Sequence, residues 1–332
     1  MPSDIIKDRM QNDVIANEVG QPAPTGAALL PEDPVFARDF NRTDFLFSHG
    51  LGHSPMFEPA ALGELARRIP KIRDFVYWQN GRVGIGGKWN ENPAPRLTLD
   101  ETIAGIEHND SLVILKHAEQ DPVYGPLLQE ILQRIWSFLS PASQADVVLG
   151  ESLIFLNSPR RKTAYHIDLE SNFLLQIRGE KLVHVFDRSD RAITPHEELE
   201  NHCSGDANGA LYKPQLESAA HFYRLQPGQG VHFPSMAPHW VENADELSVS
   251  ININYDLRSV HHRLRQVYVA NRLLRRLGLS PAPPGKSALR DSVKRGLGSA
   301  IETARVLRHP QAAPPKEALS YPHWRPSRRV GA

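Results

Sequence analysis

The chain has little sulfur, no net charge and no long apolar run. Its 332 residues include a single cysteine, Cys203, which excludes an internal disulfide and fits a reducing compartment. No stretch approaches eighteen consecutive apolar residues, so a membrane-spanning helix is not expected, and Met1 to Gln21 lacks the apolar core of a secretory leader. The expectation is a soluble, cytoplasmic protein. Basic and acidic residues balance at 38 each, and bulk charge therefore selects no partner. Its distribution is uneven. From Arg258 to the end sixteen Lys/Arg stand against three Asp/Glu, leaving an excess of about thirteen negative charges in the first 257 residues. No internal repeat is visible, and the length suits one large domain or two ordinary ones.

Residues 1–35 are polar and rich in proline (Pro22, Pro24, Pro31, Pro34) and read as a flexible surface segment. Residues 36–150 read as an α/β part that packs on a β-rich barrel. Leu62, Leu65, Ala66 and Ile69 recur at helical spacing and predict a helix over Pro59 to Ile69. Phe75 to Trp78, Asn80-Gly81 and Val83 to Ile85 predict a hairpin turned by Asn-Gly. Leu97–Ile106 and Tyr124–Phe138 read as helices, with Ser111–Lys116 as a strand between them.

From Glu151 the texture changes to short β-rich runs separated by turn residues such as Arg178-Gly179-Glu180 and Pro227-Gly228. That series, over 151–257, predicts a β-sandwich or barrel, best described as a jelly roll. Beyond it, residues 258–310 regain helical spacing through Val260, Leu264, Val267, Leu273 and Leu274, then a linker at Pro281–Pro284 and a second helix over about Ser287 to Leu307. Residues 311–332 form a basic tail. The fold class is thus mainly β with flanking helices, a jelly-roll core followed by C-terminal helices.

The chemistry-bearing residues concentrate between 163 and 254. His166-Ile167-Asp168 alternates, so in an extended segment both polar side chains share one face while Ile167 packs on the other. Burying both without a partner costs several kcal/mol, on the order of the desolvation of a polar group. A metal ion supplies that partner, and a hydrogen-bonded His–Asp pair in a polar cavity is the alternative. The triplet alone is weak, because His108-Asn109-Asp110 repeats it where a turn is expected. His239 follows Pro234-Ser235-Met236-Ala237-Pro238 at a strand start, and the prolines restrict it as a distal third ligand should be restricted. Two histidines and a carboxylate form the facial triad of non-haem Fe(II) sites. His232 competes for the third place from mid-strand, while His184 and His221 read as packing or pairing residues. Lys181, fifteen residues after His166, reads either as a lysine reaching the surface or as the counter-charge of an acidic co-substrate, with Thr163 as a further donor. Asn172, Gln176, Asn252 and Asn254 are amides in strand-like surroundings, where asparagine is rare.

As a set, Thr163, His166, Asp168, Asn172, Gln176, Ile177, Gly179 and Lys181, followed by Pro227, Gly228, Pro234, His239 and Asn254, resemble the JmjC and cupin-like family of Fe(II)- and 2-oxoglutarate-dependent dioxygenases. The likeness is greatest to the asparaginyl hydroxylase acting on hypoxia-inducible factor, and it covers residues 150–257. The resemblance implies a double-stranded β-helix core with His166, Asp168 and His239 as catalytic iron ligands. It implies that Lys181 and Thr163 hold the 2-oxoglutarate carboxylate, with Asn172 and Asn254 beside the co-substrate. The tyrosine that the family often adds has no counterpart in Val113-Ile114-Leu115. Fe(II), 2-oxoglutarate and O2 would together hydroxylate a C–H bond of a peptide or protein side chain or of a small amino-acid-like metabolite, releasing succinate and CO2. Methyl-lysine demethylation is disfavoured, since no aromatic cage stands out. The resemblance also implies a homodimer through the C-terminal helices, which is favoured over nucleic-acid binding for the basic region. Two other readings remain open: a non-catalytic cupin-like regulatory protein binding a metal or small acid, and a metal-dependent cupin enzyme that does not use 2-oxoglutarate.

Overall fold

The computed structural model describes residues 29–70, 75–88 and 95–308. The N-terminal part supplies α1 (Pro34–Asp39), β1 (Phe45–Ser48), α2 (Pro59–Arg68), β2 (Val76–Gln79), α3 (Leu99–Ala104), β3 (Leu112–Lys116), α4 (Gly125–Phe138) and α5 (Pro141–Asp146). Eight strands come next: β4 (Val147–Asn157), β5 (Lys162–His166), β6 (Ser171–Arg178), β7 (Lys181–Val185), then, after α6 (His196–Cys203), β8 (His221–Leu225), β9 (Gln229–Phe233), β10 (His239–Asn243) and β11 (Ser248–Leu257). A π-helical turn over Val260–Leu264 leads into α7 (Arg265–Arg276), and α8 (Ala288–Arg308) closes the described chain.

Two antiparallel sheets face each other. One has the order β1-β9-β6-β11-β4-β3-β2 and the other β5-β10-β7-β8. The eight strands β4 to β11 are thus shared between the sheets as a jelly roll requires, and β1, β2 and β3 extend the larger sheet at both edges. The sequence expectation of a jelly-roll core with C-terminal helices is met.

Side-chain alternation assigns the two faces of the larger sheet. On β6, Phe173, Leu175 and Ile177 join the main core under the N-terminal helices, while Leu174 packs with Val183, Val231 and Phe233 inside the barrel. On β11, Val249, Ile251, Ile253 and Tyr255 face the helical layer. The intervening Ser250, Asn252 and Asn254 line the barrel's cavity. Asparagines are at home in this strand because the cavity makes its inner face polar. The helical layer arises from local sequence in the ordinary way. Thr98 and Glu101 cap α3 reciprocally, and α4 turns Leu128, Ile131, Leu132 and Ile135 into the core.

Two sequence expectations need correction. The Asn80-Gly81 hairpin does not form: β2 pairs with β3, not with a strand over 83–85. The Asn80 side chain instead accepts from the Arg96 and Leu97 amides and donates to Thr102 and Ser111, so it ties together a loop. Leu29 and Leu30, assigned to a surface segment, are buried in the main core. Residues 1–28 and 309–332, which include the basic tail over 311–332, lie outside the described residues. The charge of the C-terminal helices is partly used within the fold: Arg275 pairs with Glu197 and Glu200 of α6, and Arg265 with Glu302 of α8.

The turn between β6 and β7 matters for the site because it delivers Lys181. Gly179 there has φ +67, and a Cβ on it would lie 2.3 Å from the Leu247 carbonyl oxygen. Gly179→Ala is therefore expected to destabilise the fold by about 2 kcal/mol or more, read as a lowered midpoint of urea unfolding. An unchanged midpoint would show that the turn yields.

Candidate metal centre

β5 and β10 are neighbours, and His239 is the direct cross-strand partner of His166. Asp168 follows β5 by two residues. One ligand-type atom from each of the three lies within 4.8 Å of the others. His166 Nε2 is 3.7 Å from Asp168 Oδ1, and His239 Nε2 is 3.8 Å from Asp168 Oδ2. The other ring nitrogens are engaged. His166 Nδ1 lies 2.8 Å from the Ala164 carbonyl and His239 Nδ1 lies 3.0 Å from that of Ala237. A carbonyl only accepts, so both Nδ1 atoms carry the proton and both Nε2 lone pairs turn toward Asp168, the tautomer a metal ligand needs. Burial pushes His239 down to about 4, so its imidazole is neutral at neutral pH. Burial opposes the charge on Asp168, yet the neighbouring histidines and the Asn172 amide hold its carboxyl below the ordinary value.

The loop carrying His239 is fixed to the loop carrying Asp168. The Met236 amide donates to the Asp168 carbonyl and the Ser235 hydroxyl to that of Leu169. Asn172 lies behind the carboxylate: its side-chain amide donates to Asp168 Oδ2 at 3.2 Å, and its Oδ1 accepts from Asn252. Asn172→Ala is expected to weaken divalent-metal binding by about 10- to 100-fold, checked by Mn(II) titration. Unchanged affinity would mean that the ring and loop contacts alone hold Asp168.

Beside the three ligand-type residues opens a cavity of about 370 Å³. Lys181 and Thr163 line it, as do Asn254 and Asn252. Lys181 is 3% exposed, so it does not reach the surface as lysines in strands usually do. Its ammonium donates to the Ser250 hydroxyl at 2.9 Å. Burial pushes it down to about 7, with no carboxylate offsetting the shift. Ser250, Asn252 and Asn254 then step along β11 at intervals of about 7 Å, from the Lys181 end of the cavity past the Asp168–Asn172 pair to Glu151, the cross-strand partner of Asn254.

The remaining candidates separate cleanly. Gln176 donates to the Arg178 and Gly179 carbonyls and to Ser248, so it holds the β6–β7 turn. His232 sits on the opposite face among Phe40, Phe45 and Phe173, with Nδ1 against the Asn172 carbonyl and Nε2 accepting from the Asn41 amide. His184 stacks on Trp240 and pairs with Glu217, and His221 pairs with Asp44, both as expected of packing and pairing residues. His108-Asn109-Asp110 stays in the turn before β3, where Asp110 meets Arg82. Sequence reasoning missed Glu151, Glu170, Lys116, Ser250 and His202, which also line the cavity. Only Ser250 had a signal, being in step with Asn252 and Asn254.

Fold and site together define a cupin-type β-barrel with two histidines and one carboxylate at one end of an internal cavity. Comparison of the sequence agrees: residues 107–260 match the family described as a cupin-like domain. Among curated proteins, the chain is similar to the HSPB1-associated protein 1 homolog of Danio rerio, with 26% identity over 202 residues, 50% of this chain and 43% of that protein. Among solved structures it is similar to YcfD of Escherichia coli, with 14% identity, a TM-score of 0.47, and coverage of 80% of this chain and 65% of that one. A further structure of YcfD, a ribosomal oxygenase, in complex with cobalt and 2-oxoglutarate gives 15% identity, a TM-score of 0.41, and coverage of 82% and 66%. The chain spans less than half of the zebrafish relative and just under two thirds of YcfD. No described helix is long and apolar enough to cross a membrane.

Proposed function

We propose that the protein is an Fe(II)- and 2-oxoglutarate-dependent dioxygenase that hydroxylates a C–H bond. The observation that carries this reading is Lys181: a buried ammonium with no carboxylate among the described residues to balance it, in the same cavity as the His166, Asp168 and His239 triad. Burying such a charge is costly unless something pairs with it. A dicarboxylate that reaches both the lysine and the metal is the ligand that fits. The two rival readings do not require this lysine: a cupin enzyme without 2-oxoglutarate needs the triad alone, and a regulatory module needs neither a facial triad nor its open positions.

In this assignment His166, Asp168 and His239 hold Fe(II), which with 2-oxoglutarate and O2 supplies the oxidising chemistry and releases succinate and CO2. The donor set fits the ion, since it offers two imidazoles whose Nδ1 atoms are engaged by backbone carbonyls and one carboxylate. Lys181 and Thr163 take the far carboxylate of the co-substrate. Asn172 orients Asp168, and Asn252 in turn orients Asn172. Ile114 and Phe155 contribute apolar wall in the same cavity. Ile114 lies on the strand where the resembling family places its tyrosine, so the carboxylate would lean more heavily on Lys181 and Thr163. A protein or peptide side chain, or a small amino-acid-like metabolite, is the substrate class.

The test is conversion of 2-oxoglutarate to succinate by the purified chain with and without Fe(II). Slow, Fe(II)-dependent succinate formation is expected even without substrate. Equal conversion after removal of the metal would contradict the assignment.

A further inference from the structure

A second cavity, of about 310 Å³, opens where the end of α6 meets α7 and α8, and it shares no lining residue with the cavity of the barrel. Three guanidinium groups line it: those of Arg272 and Arg276 from α7 and of Arg305 from α8. The one carboxylate in the lining, Glu302, is already engaged, since it pairs with Arg265 at 2.8 Å and accepts from the Gln266 amide. Val269 and Ile301 add an apolar wall.

The needs of the fold do not account for this charge. α7 carries four arginines and no acidic residue. Arg265 pairs with Glu302, and Arg275 with Glu197 and Glu200. Arg272 and Arg276, in contrast, make no hydrogen bond or ion pair with any described residue. They stand one helical turn apart, a like-charge spacing that works against the helix. The dipole of α7 favours a cation in its last turn, which accounts for Arg276 but not for the convergence of Arg272 with an arginine of a separate helix. Arg305 is placed in advance: its guanidinium donates to the Ser204 carbonyl at 2.6 Å, a neutral acceptor. Gly205, with φ +95, makes room for it, since a Cβ there would lie 2.7 Å from the guanidinium. Three cations thus face one recess with no uncommitted carboxylate among its described lining residues.

Independently of the oxygenase reading, we propose that this recess binds a phosphate group of high charge, the terminal phosphate of a monoester or a pyrophosphate. A guanidinium presents its N–H groups as a fork that fits phosphate oxygens, and charge-assisted bonds of this kind are the stronger ones. A single carboxylate offers two oxygens and one charge, too few for three guanidiniums. A phosphodiester also carries one charge. A terminal phosphate has three acceptor oxygens and at neutral pH is close to a dianion.

The experiment is calorimetric titration of the full chain, without metal and at constant ionic strength, with pyrophosphate, with phenyl phosphate and with a single-stranded RNA that lacks terminal phosphates. One-to-one binding of pyrophosphate or phenyl phosphate is expected. It should weaken about tenfold or more in Arg272→Gln and in Arg276→Gln, and stay unchanged in Lys181→Met, which separates this recess from the barrel cavity. Neither arginine has a partner in the described fold, so both variants should unfold near the wild-type midpoint. Tighter binding of pyrophosphate identifies a free or nucleotide-borne diphosphate as the ligand, and tighter binding of phenyl phosphate a monoester whose organic part lies against Val269 and Ile301. No saturable binding of either anion, binding that survives both arginine substitutions, or binding lost in Lys181→Met would overturn the proposal. So would RNA binding tighter than that of either anion, which would make the arginines part of a nucleic-acid surface.

Discussion

Replacing His166 or Asp168 by alanine is expected to lower divalent-metal affinity by more than about 100-fold and to abolish succinate formation. Losing a residue that merely orients a ligand costs about 10- to 100-fold, and losing the ligand itself must exceed that. The two variants should fail for different reasons. Asp168→Ala removes the only anionic donor of the triad and leaves the Asn172 amide only its longer contact to the Glu170 carbonyl. His166→Ala removes a donor whose proton was already placed on Nδ1 by the Ala164 carbonyl, so it deletes a ligand prepared before the metal arrives. Neither side chain belongs to the apolar core, so both variants should unfold near the wild-type midpoint. Mn(II) binding by electron paramagnetic resonance, beside a thermal unfolding curve, makes the check. Affinity within about threefold of wild type in both variants would remove the metal centre from the account.

The second large effect has opposite signs in two measurements. Lys181→Met is expected to raise the 2-oxoglutarate requirement by about 10- to 100-fold, the worth of a charge-assisted pair. The same change should stabilise the ligand-free protein at neutral pH. The wild-type lysine, pushed down to about 7 by burial, binds fewer protons in the folded than in the unfolded chain between pH 7 and its ordinary value. Stability of the ligand-free protein therefore rises as pH increases from about 7 toward the ordinary lysine value of 10.5. Below about pH 7 both states are protonated and the penalty is at full size. That penalty is on the order of 4 kcal/mol. Lys181→Met removes it, less the bond to Ser250, so a gain of about 2–3 kcal/mol is expected at pH 7 and a smaller one at pH 9. Urea unfolding at the two pH values reads the effect. A variant less stable than wild type at pH 7, with an unchanged 2-oxoglutarate requirement, would return Lys181 to a structural role.

Much of this site was legible before the fold was known, and the residues show why. His166 and Asp168 announce themselves through strand alternation, and Asn252 and Asn254 through being polar where a strand should be apolar. Alternation is a local property, so sequence carries it. That Lys181 does not reach the surface shows only in its burial, because whether a strand lysine reaches water depends on which residues cover it from the opposite sheet. Glu151 and Glu170 had no spacing of their own; β4 and β6 reach one cavity because both pair with β11, a strand far along the chain from either. His202 arrives from α6, an insertion between β7 and β8 that periodicity did not mark. The false hairpin at Asn80-Gly81 has the same origin in reverse. Its turn chemistry was right for a hairpin, but β3 offered β2 a partner and the Asn80 amide a set of loop donors and acceptors that local sequence does not show.

The measurement that bears most directly on the account is the absorption spectrum of the full chain with Fe(II) and 2-oxoglutarate under strict exclusion of O2. A metal held by His166, Asp168 and His239 has open positions for a chelating 2-oxo acid, and Lys181 supplies the charge that holds the other end. The expected result is a weak metal-to-ligand charge-transfer band that saturates with 2-oxoglutarate, needs Fe(II), and shifts to much higher concentration in Lys181→Met. Iron bound at the triad with no such band at saturating 2-oxoglutarate would contradict the account and leave a cupin metal site that uses some other chemistry.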